Sequence, residues 1–308
     1  AGSGYNFPRH AGTAWFLARL AVRTGDAEFL EGASRALDFV ERNTTRGPQG
    51  AYFRDPARDD GKVWAGTTAL ASLAAALLDH PLAGEWGAYL AASVDERGQV
   101  RGNAELEGAT GLAFPEQPQN PYGQGQTTLA LASLVRAGHE ELKPALVRAA
   151  DFLDGDYAPL AGGRLLVLDE HWTCLAALAT REVLGRAAGM EVCRAYLDSQ
   201  ASRAPRRGSA LQPTVAAAGG LAEAVVAAAV LDPDGPYLER AVDYGWLFLR
   251  SAYQEGDRPF LGSPTRLLGG FRDRVSKLDV QIDTVQHVGC ALLGVEALLS
   301  ETLAGSLP

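Results

Sequence analysis

The sequence predicts an all-α protein, an (α/α)6-type toroid made of helical hairpins, with eleven main helices and short β segments in its long loops. Three observations carry this expectation. Apolar residues recur at helical spacing in long blocks broken by Gly, Pro and Asp. The blocks come in pairs, with a short link inside each pair and a long link after it. A small signature returns at the start of most pairs, at a period of about 50–60 residues, which is what two helices with their connections occupy.

The predicted pairs are 8–23 with 27–43, 62–79 with 83–95, 124–137 with 140–154, 169–187 with 189–202, and 214–231 with 236–254. A long helix over 281–303 follows, one helix short of a sixth pair. The first helices open alike: His10-Ala11-Gly12-Thr13, Trp64-Ala65-Gly66-Thr67, His171-Trp172-Thr173-Cys174 and His287-Val288-Gly289-Cys290, with Gln124-Gly125-Gln126-Thr127 a looser match. Short links such as Thr24-Gly25-Asp26 and His80-Pro81-Leu82 lie at one end of the pairs. The long links, near 45–61, 96–123, 155–168, 203–213 and 255–280, lie at the other, where loops of that length tend to carry function. First helices are rich in Ala and Gly, as in Ala69–Ala76 and Ala216–Gly220, so their backbones can approach closely as an inner layer. Second helices are amphipathic: Glu28, Glu31, Arg35 and Asp38 oppose Phe29, Ala33, Leu37 and Val40, which suits an outer layer. The whole of 1–308 is expected to be one such domain.

Composition narrows the function classes. The chain has 308 residues, 47% of them hydrophobic, and a formal net charge of −9. An acidic chain repels phosphate backbones, so no nucleic-acid partner is expected; Arg203, Arg206 and Arg207 sit in a Pro/Gly/Ser-rich stretch that reads as a solvated loop. No apolar run of 18 residues lacks charge, so no membrane span is expected. No signal-peptide pattern is visible, and Ala1-Gly2-Ser3-Gly4 fits a trimmed start as well as a cytoplasmic one. Three cysteines, Cys174, Cys193 and Cys290, are too few and odd in number for a disulfide framework.

The segment 24–40, a Thr-Gly-Asp turn followed by an amphipathic helix, resembles the hairpins of the six-hairpin toroid proteins: six-hairpin glycosidases, uronyl hydrolases, polysaccharide lyases and sugar epimerases. That resemblance implies a carbohydrate-active enzyme working on a glycan, uronate-bearing ones included, at the N-terminal ends of the inner helices. Lanthionine-cyclase toroids also come into comparison, but their adjacent Cys-His zinc ligands have no match here.

The candidate residues stand at those helix starts. Asp169, Glu170 and Asp283 are the candidate acid, base or nucleophile, since paired carboxylates serve glycosidic cleavage. His171 and His287 are the candidate proton-transfer groups of lyase or epimerase chemistry, with Tyr122 beside them. Arg9, His10, Asp60, Trp64, Tyr122, Gln124, Gln126, Trp172, Arg272 and Gln286 are the candidate substrate contacts, the aromatics because they stack on sugar rings. Against each stands a plain packing role: first-turn carboxylates stabilise a helix, and a histidine can simply bond a carbonyl. The i, i+3 pairs His171/Cys174 and His287/Cys290 have zinc-ligand spacing. Their cysteines fall where Thr13 and Thr67 fall in the repeat, so they read as small buried residues. No metal and no cofactor is expected. Two other readings stay open: a toroid module that binds a glycan or a protein without chemistry, and a metal-dependent or terpene-type toroid enzyme.

Overall fold

The computed structural model describes residues 5–58, 60–117, 121–157, 170–205, 214–260, 263, 267–272 and 280–306. Among them are eleven α-helices: α1 (Phe7–Thr24), α2 (Ala27–Arg42), α3 (Ala65–Leu78), α4 (Ala83–Ala92), α5 (Pro121–Arg136), α6 (Lys143–Asp154), α7 (His171–Leu184), α8 (Met190–Ser199), α9 (Val215–Leu231), α10 (Tyr237–Ser251) and α11 (Ile282–Ser306). They are the helices expected from the sequence, within a few residues at most ends. The larger shifts have local causes. Residues 62–64 are strand β3 instead of a first helical turn, because Lys62, Val63 and Trp64 pair with Glu105, Ala104 and Asn103 of strand β4. The helix expected over 140–154 starts as a 3-10 turn, and α6 proper begins at Lys143, with Pro144 in its first turn, where a missing N–H costs nothing.

Short strands fill two of the long links. β1 (Thr44–Gly47) and β2 (Gly50–Phe53) form a hairpin after α2. β3 (Lys62–Trp64), β4 (Asn103–Glu107) and β5 (Gly111–Ala113) form an antiparallel sheet in that order. Two further antiparallel contacts are single bridges, Val94 with Val100 and Ala252 with Phe271.

The contacts group into two units, residues 1–193 and 194–308. In the first unit α1 packs on α3, α3 on α5 and α5 on α7, while α2 covers α1, α4 covers α3 and α6 covers α5. First helices thus lie side by side, with second helices outside them. Burial agrees: α3 is buried continuously from Thr67 to Ala75, whereas α2 buries only Ala33, Leu37 and Val40. The tight turn between α1 and α2 is specified locally. Gly25 takes a left-handed C-cap conformation and Asp26 accepts the Glu28 N–H as the next N-cap. In the second unit α9 packs on both α10 and α11. The stretch Ile282–Ser300 of α11 is long and apolar enough to cross a membrane by length and composition, with a mean hydropathy of 1.3 and 44% of it buried in the fold. The sequence reading passed over it because Asp283 and Glu296 interrupt it.

Small residues set how closely first helices approach. A Cβ on Gly125 of α5 would stand 2.7 Å from Trp172 Cβ and 2.8 Å from the Thr173 backbone nitrogen on α7. Gly125→Ala is expected to force α5 off α7 and to lower stability by about 1–3 kcal/mol, read as a lower urea midpoint. An unchanged midpoint would show that the two helices do not meet this way.

Candidate functional site

The first turn of α7 carries several chemistry-bearing side chains. Glu170 occupies the N-cap position of α7, but its carboxyl accepts no N–H of the helix. It turns instead to Thr173, whose hydroxyl donates to Oε1 at 2.5 Å. The Tyr157 hydroxyl bonds the same carboxyl. Glu170 is 1% exposed, and Oε2 is buried without a hydrogen-bond partner. Burial pushes the carboxyl up from the ordinary 4.5 to about 8, against the two hydroxyl donors, so Glu170 is a neutral acid near pH 7. Burial, and Glu170 beside it, push the Tyr157 phenol well above its ordinary range. His171 and Trp172 follow, both buried, with ring centroids 4.4 Å apart. Trp172 meets Trp15 of α1 at 6.2 Å, and the Arg19 guanidinium lies over Trp15. Asp169 lies outside the described residues.

The other candidates of this unit separate by role. His10 is a packing histidine. Its Nε2 bonds the Ala36 carbonyl of α2 at 2.9 Å, and its Nδ1 faces the Tyr5 hydroxyl at 2.5 Å. A carbonyl only accepts, so Nε2 carries the proton and Nδ1 accepts from Tyr5. Arg9, in the first turn of α1, is exposed, and its backbone N–H is capped by Asn6. Gln124 is fully buried as a backbone clamp: Oε1 accepts the Val100 N–H, and Nε2 donates to the Gly98 and Ala149 carbonyls. Its amide is thus engaged with main chain. Gln126 is also buried, its Oε1 turned to Gly66 of α3. Three more candidates, Asp60, Trp64 and Tyr122, also reach the surface. Trp64 is 41% exposed and Tyr122 37%. Arg58 lies over the Trp64 ring and donates to Asp60, which holds the Asp60 carboxyl below its usual range.

In the second unit the histidine of α11 has a partner the sequence reading missed. Glu223, on α9, is 2% exposed, and its Oε2 stands 2.6 Å from His287 Nδ1. Close approach of the two helices makes this contact possible: a Cβ on Gly219 would lie 2.8 Å from His287 Cβ. A signal was present, since Glu223 is the single ionisable residue in the apolar run Val215–Leu231 and a buried carboxylate needs a partner. Tyr157 left no such signal, being brought to Glu170 by tertiary structure alone. Gln286, beside His287, is buried with Nε2 unbonded, and Asp283 is half-buried in the first turn of α11. Arg272 is tied elsewhere: its N–H and Nε donate to the Ser251 carbonyl, and its guanidinium covers Tyr253.

All three cysteines are buried, as expected of small packing residues, and two of them, Cys174 and Cys193, are joined in a disulfide that the sparse, odd set did not signal. The bond also removes Cys174 from any His171/Cys174 metal pair. Asp38, Glu41 and His80 bring ligand atoms within 4.8 Å of one another. His80 Nδ1 accepts the Leu82 N–H, which leaves the proton on Nε2 facing Glu41, an arrangement suited to packing and not to a cation.

No protein-family model matches the chain, and no curated protein matches it. Solved structures do. A sugar epimerase from a ruminal bacterium aligns over 95% of this chain and 87% of its own, at 14% identity and a TM-score of 0.65. The cellobiose 2-epimerase of Spirochaeta thermophila covers 95% and 86%, at 14% identity and 0.64. A GH76 α-mannanase of Bacteroides thetaiotaomicron covers 96% and 87%, at 10% identity and 0.60. The chain therefore has the α/α toroid fold shared by these sugar epimerases and this mannanase, the six-hairpin architecture expected from its sequence.

Proposed function

We propose that this protein is a carbohydrate-active enzyme that moves a proton on a reducing sugar, as an epimerase or isomerase does, with His287 as the proton-transfer group and Glu223 holding it in place. The observation that carries this reading is the 2.6 Å contact between Glu223 Oε2 and His287 Nδ1. A carboxylate on Nδ1 fixes the tautomer and the ring orientation, and it stabilises the imidazolium that forms when Nε2 takes a proton. That is the arrangement needed to remove hydrogen from a carbon next to a sugar carbonyl. The electron pair then moves onto the carbonyl oxygen. The His287 imidazolium returns the proton to the former carbonyl carbon in isomerisation; in epimerisation a second acid, water from solvent, delivers a proton to the opposite face of the same carbon. Two of the fold relatives named above are epimerases, which agrees with this reading.

A glycosidase mechanism needs two carboxyl groups set for acid and base work. Glu223 is already engaged by His287, and Glu170 is buried and bonded to Thr173. The test is incubation of the full chain with mannose, glucose, fructose, cellobiose and mannobiose in D2O. Solvent deuterium at the carbon beside the carbonyl is the expected result. New reducing ends from a disaccharide, without carbon-bound deuterium, would replace this reading with a hydrolase. Sugar binding without turnover would replace it with a binding module.

A further inference from the structure

The Cys174–Cys193 disulfide occupies a particular place in the first unit. Cys174 follows Thr173 on α7, and Cys193 lies in the first turn of α8; both sulfur-bearing residues are fully buried. The junction between these helices is fastened by further bonds. The Ala188 N–H donates to Thr180 Oγ1 at 3.0 Å, the Gly189 N–H donates to Asp154 Oδ1 at 2.7 Å, and Arg186 pairs with both Asp151 and Asp154. Gly189 takes a left-handed conformation and sits directly against Thr173, where a Cβ would stand 2.8 Å from the Thr173 methyl. Thr173 in turn donates to Glu170. The start of α8 is thus the wall behind the residue that holds Glu170.

We propose that this disulfide is formed and kept in the working protein, in oxidising surroundings, as a clasp that holds α8 on the first turn of α7 and so keeps Thr173 against Glu170. The inference stands apart from the proposed chemistry of His287. Two thiols give up two protons and two electrons as the S–S bond forms. A low-molecular-weight disulfide accepts them by exchange, its own S–S bond breaking to two thiols. Such a bond persists in secreted, periplasmic or surface settings and is rare in a reducing cytosol. Opening it restores the conformational freedom of the chain from residue 174 to residue 193.

The test compares the full chain after treatment with glutathione disulfide and after treatment with dithiothreitol. The oxidised protein, denatured without reductant, is expected to show one alkylatable thiol, that of Cys290, and a peptide linking Cys174 to Cys193. The reduced protein is expected to show three. Reduction is expected to lower Tm by on the order of 5 °C. It is also expected to speed hydrogen exchange at the Ala188 and Gly189 amides at least tenfold, with the amides of α3 unchanged. Cys290→Ser should keep this response, and Cys193→Ala should abolish it and melt like the reduced protein. Three alkylatable thiols after oxidation, a link to Cys290, or equal Tm and exchange in both redox states would overturn the proposal. The wild-type comparison decides by itself if Cys193→Ala does not fold.

Discussion

Glu170→Gln is expected to make the protein more stable than wild type above about pH 8, and to change it little near pH 4.5. The cause is the raised carboxyl of Glu170, which loses its proton near pH 4.5 in the unfolded chain and near 8 in the folded one. Between those values the folded state holds a proton that the unfolded state has released, so folding stability falls as pH rises through that window. The contribution of the protonated acid is complete below the unfolded value and lost above the folded one. Its size follows from the separation of the two values and is on the order of 3–5 kcal/mol, since each unit is worth about 1.4 kcal/mol. Glutamine keeps an oxygen for the Thr173 hydroxyl and cannot ionise, so the variant lacks this slope. Urea midpoints from pH 4.5 to 9 check it: the two curves are expected to diverge with rising pH. Parallel curves would show that Glu170 is not a buried neutral acid.

His287→Asn is expected to lower kcat/KM on the sugar that takes up deuterium by about 10²–10⁴-fold, the usual contribution of a positioned acid–base group. Glu223→Gln is expected to lose less and to act on kcat more than on KM. The amide can still reach Nδ1, but it no longer stabilises the imidazolium. Its pH–rate profile should shift, which a merely structural loss would not produce. Equal activity in wild type and His287→Asn would remove His287 from the chemistry while leaving the fold assignment intact. Gln124 gives a contrast, because its amide serves the Val100, Gly98 and Ala149 backbone.

The same logic explains which parts of the site were legible. His287, Glu170 and Trp64 stand out because the repeat puts each at the start of a first helix. His10 satisfies the same repeat and yet bonds Ala36 and Tyr5, because a side chain at a helix start can turn to its own outer helix. Gln124 looked like a polar group aimed at a ligand. It is a clamp because the loop before it runs with unpaired amides and carbonyls that something buried has to satisfy. Glu223 was readable in principle, as a lone charge in an apolar helix, and was passed over because it lies two turns from the helix start.

The helices, and the layering of first and second helices in the first unit, were written in the local pattern of the chain. Those features follow from local periodicity, from Gly and Asp at the turns, and from how much of each helix is apolar, all of which act within a few residues. Which side chains meet was set by packing in three dimensions. The Cys174–Cys193 bond, the Tyr157–Glu170 contact and the Glu223–His287 pair each join segments separated along the chain. Their approach is set by side-chain packing, and at two of the three junctions by the absence of a Cβ at Gly189 or Gly219, which no local pattern encodes.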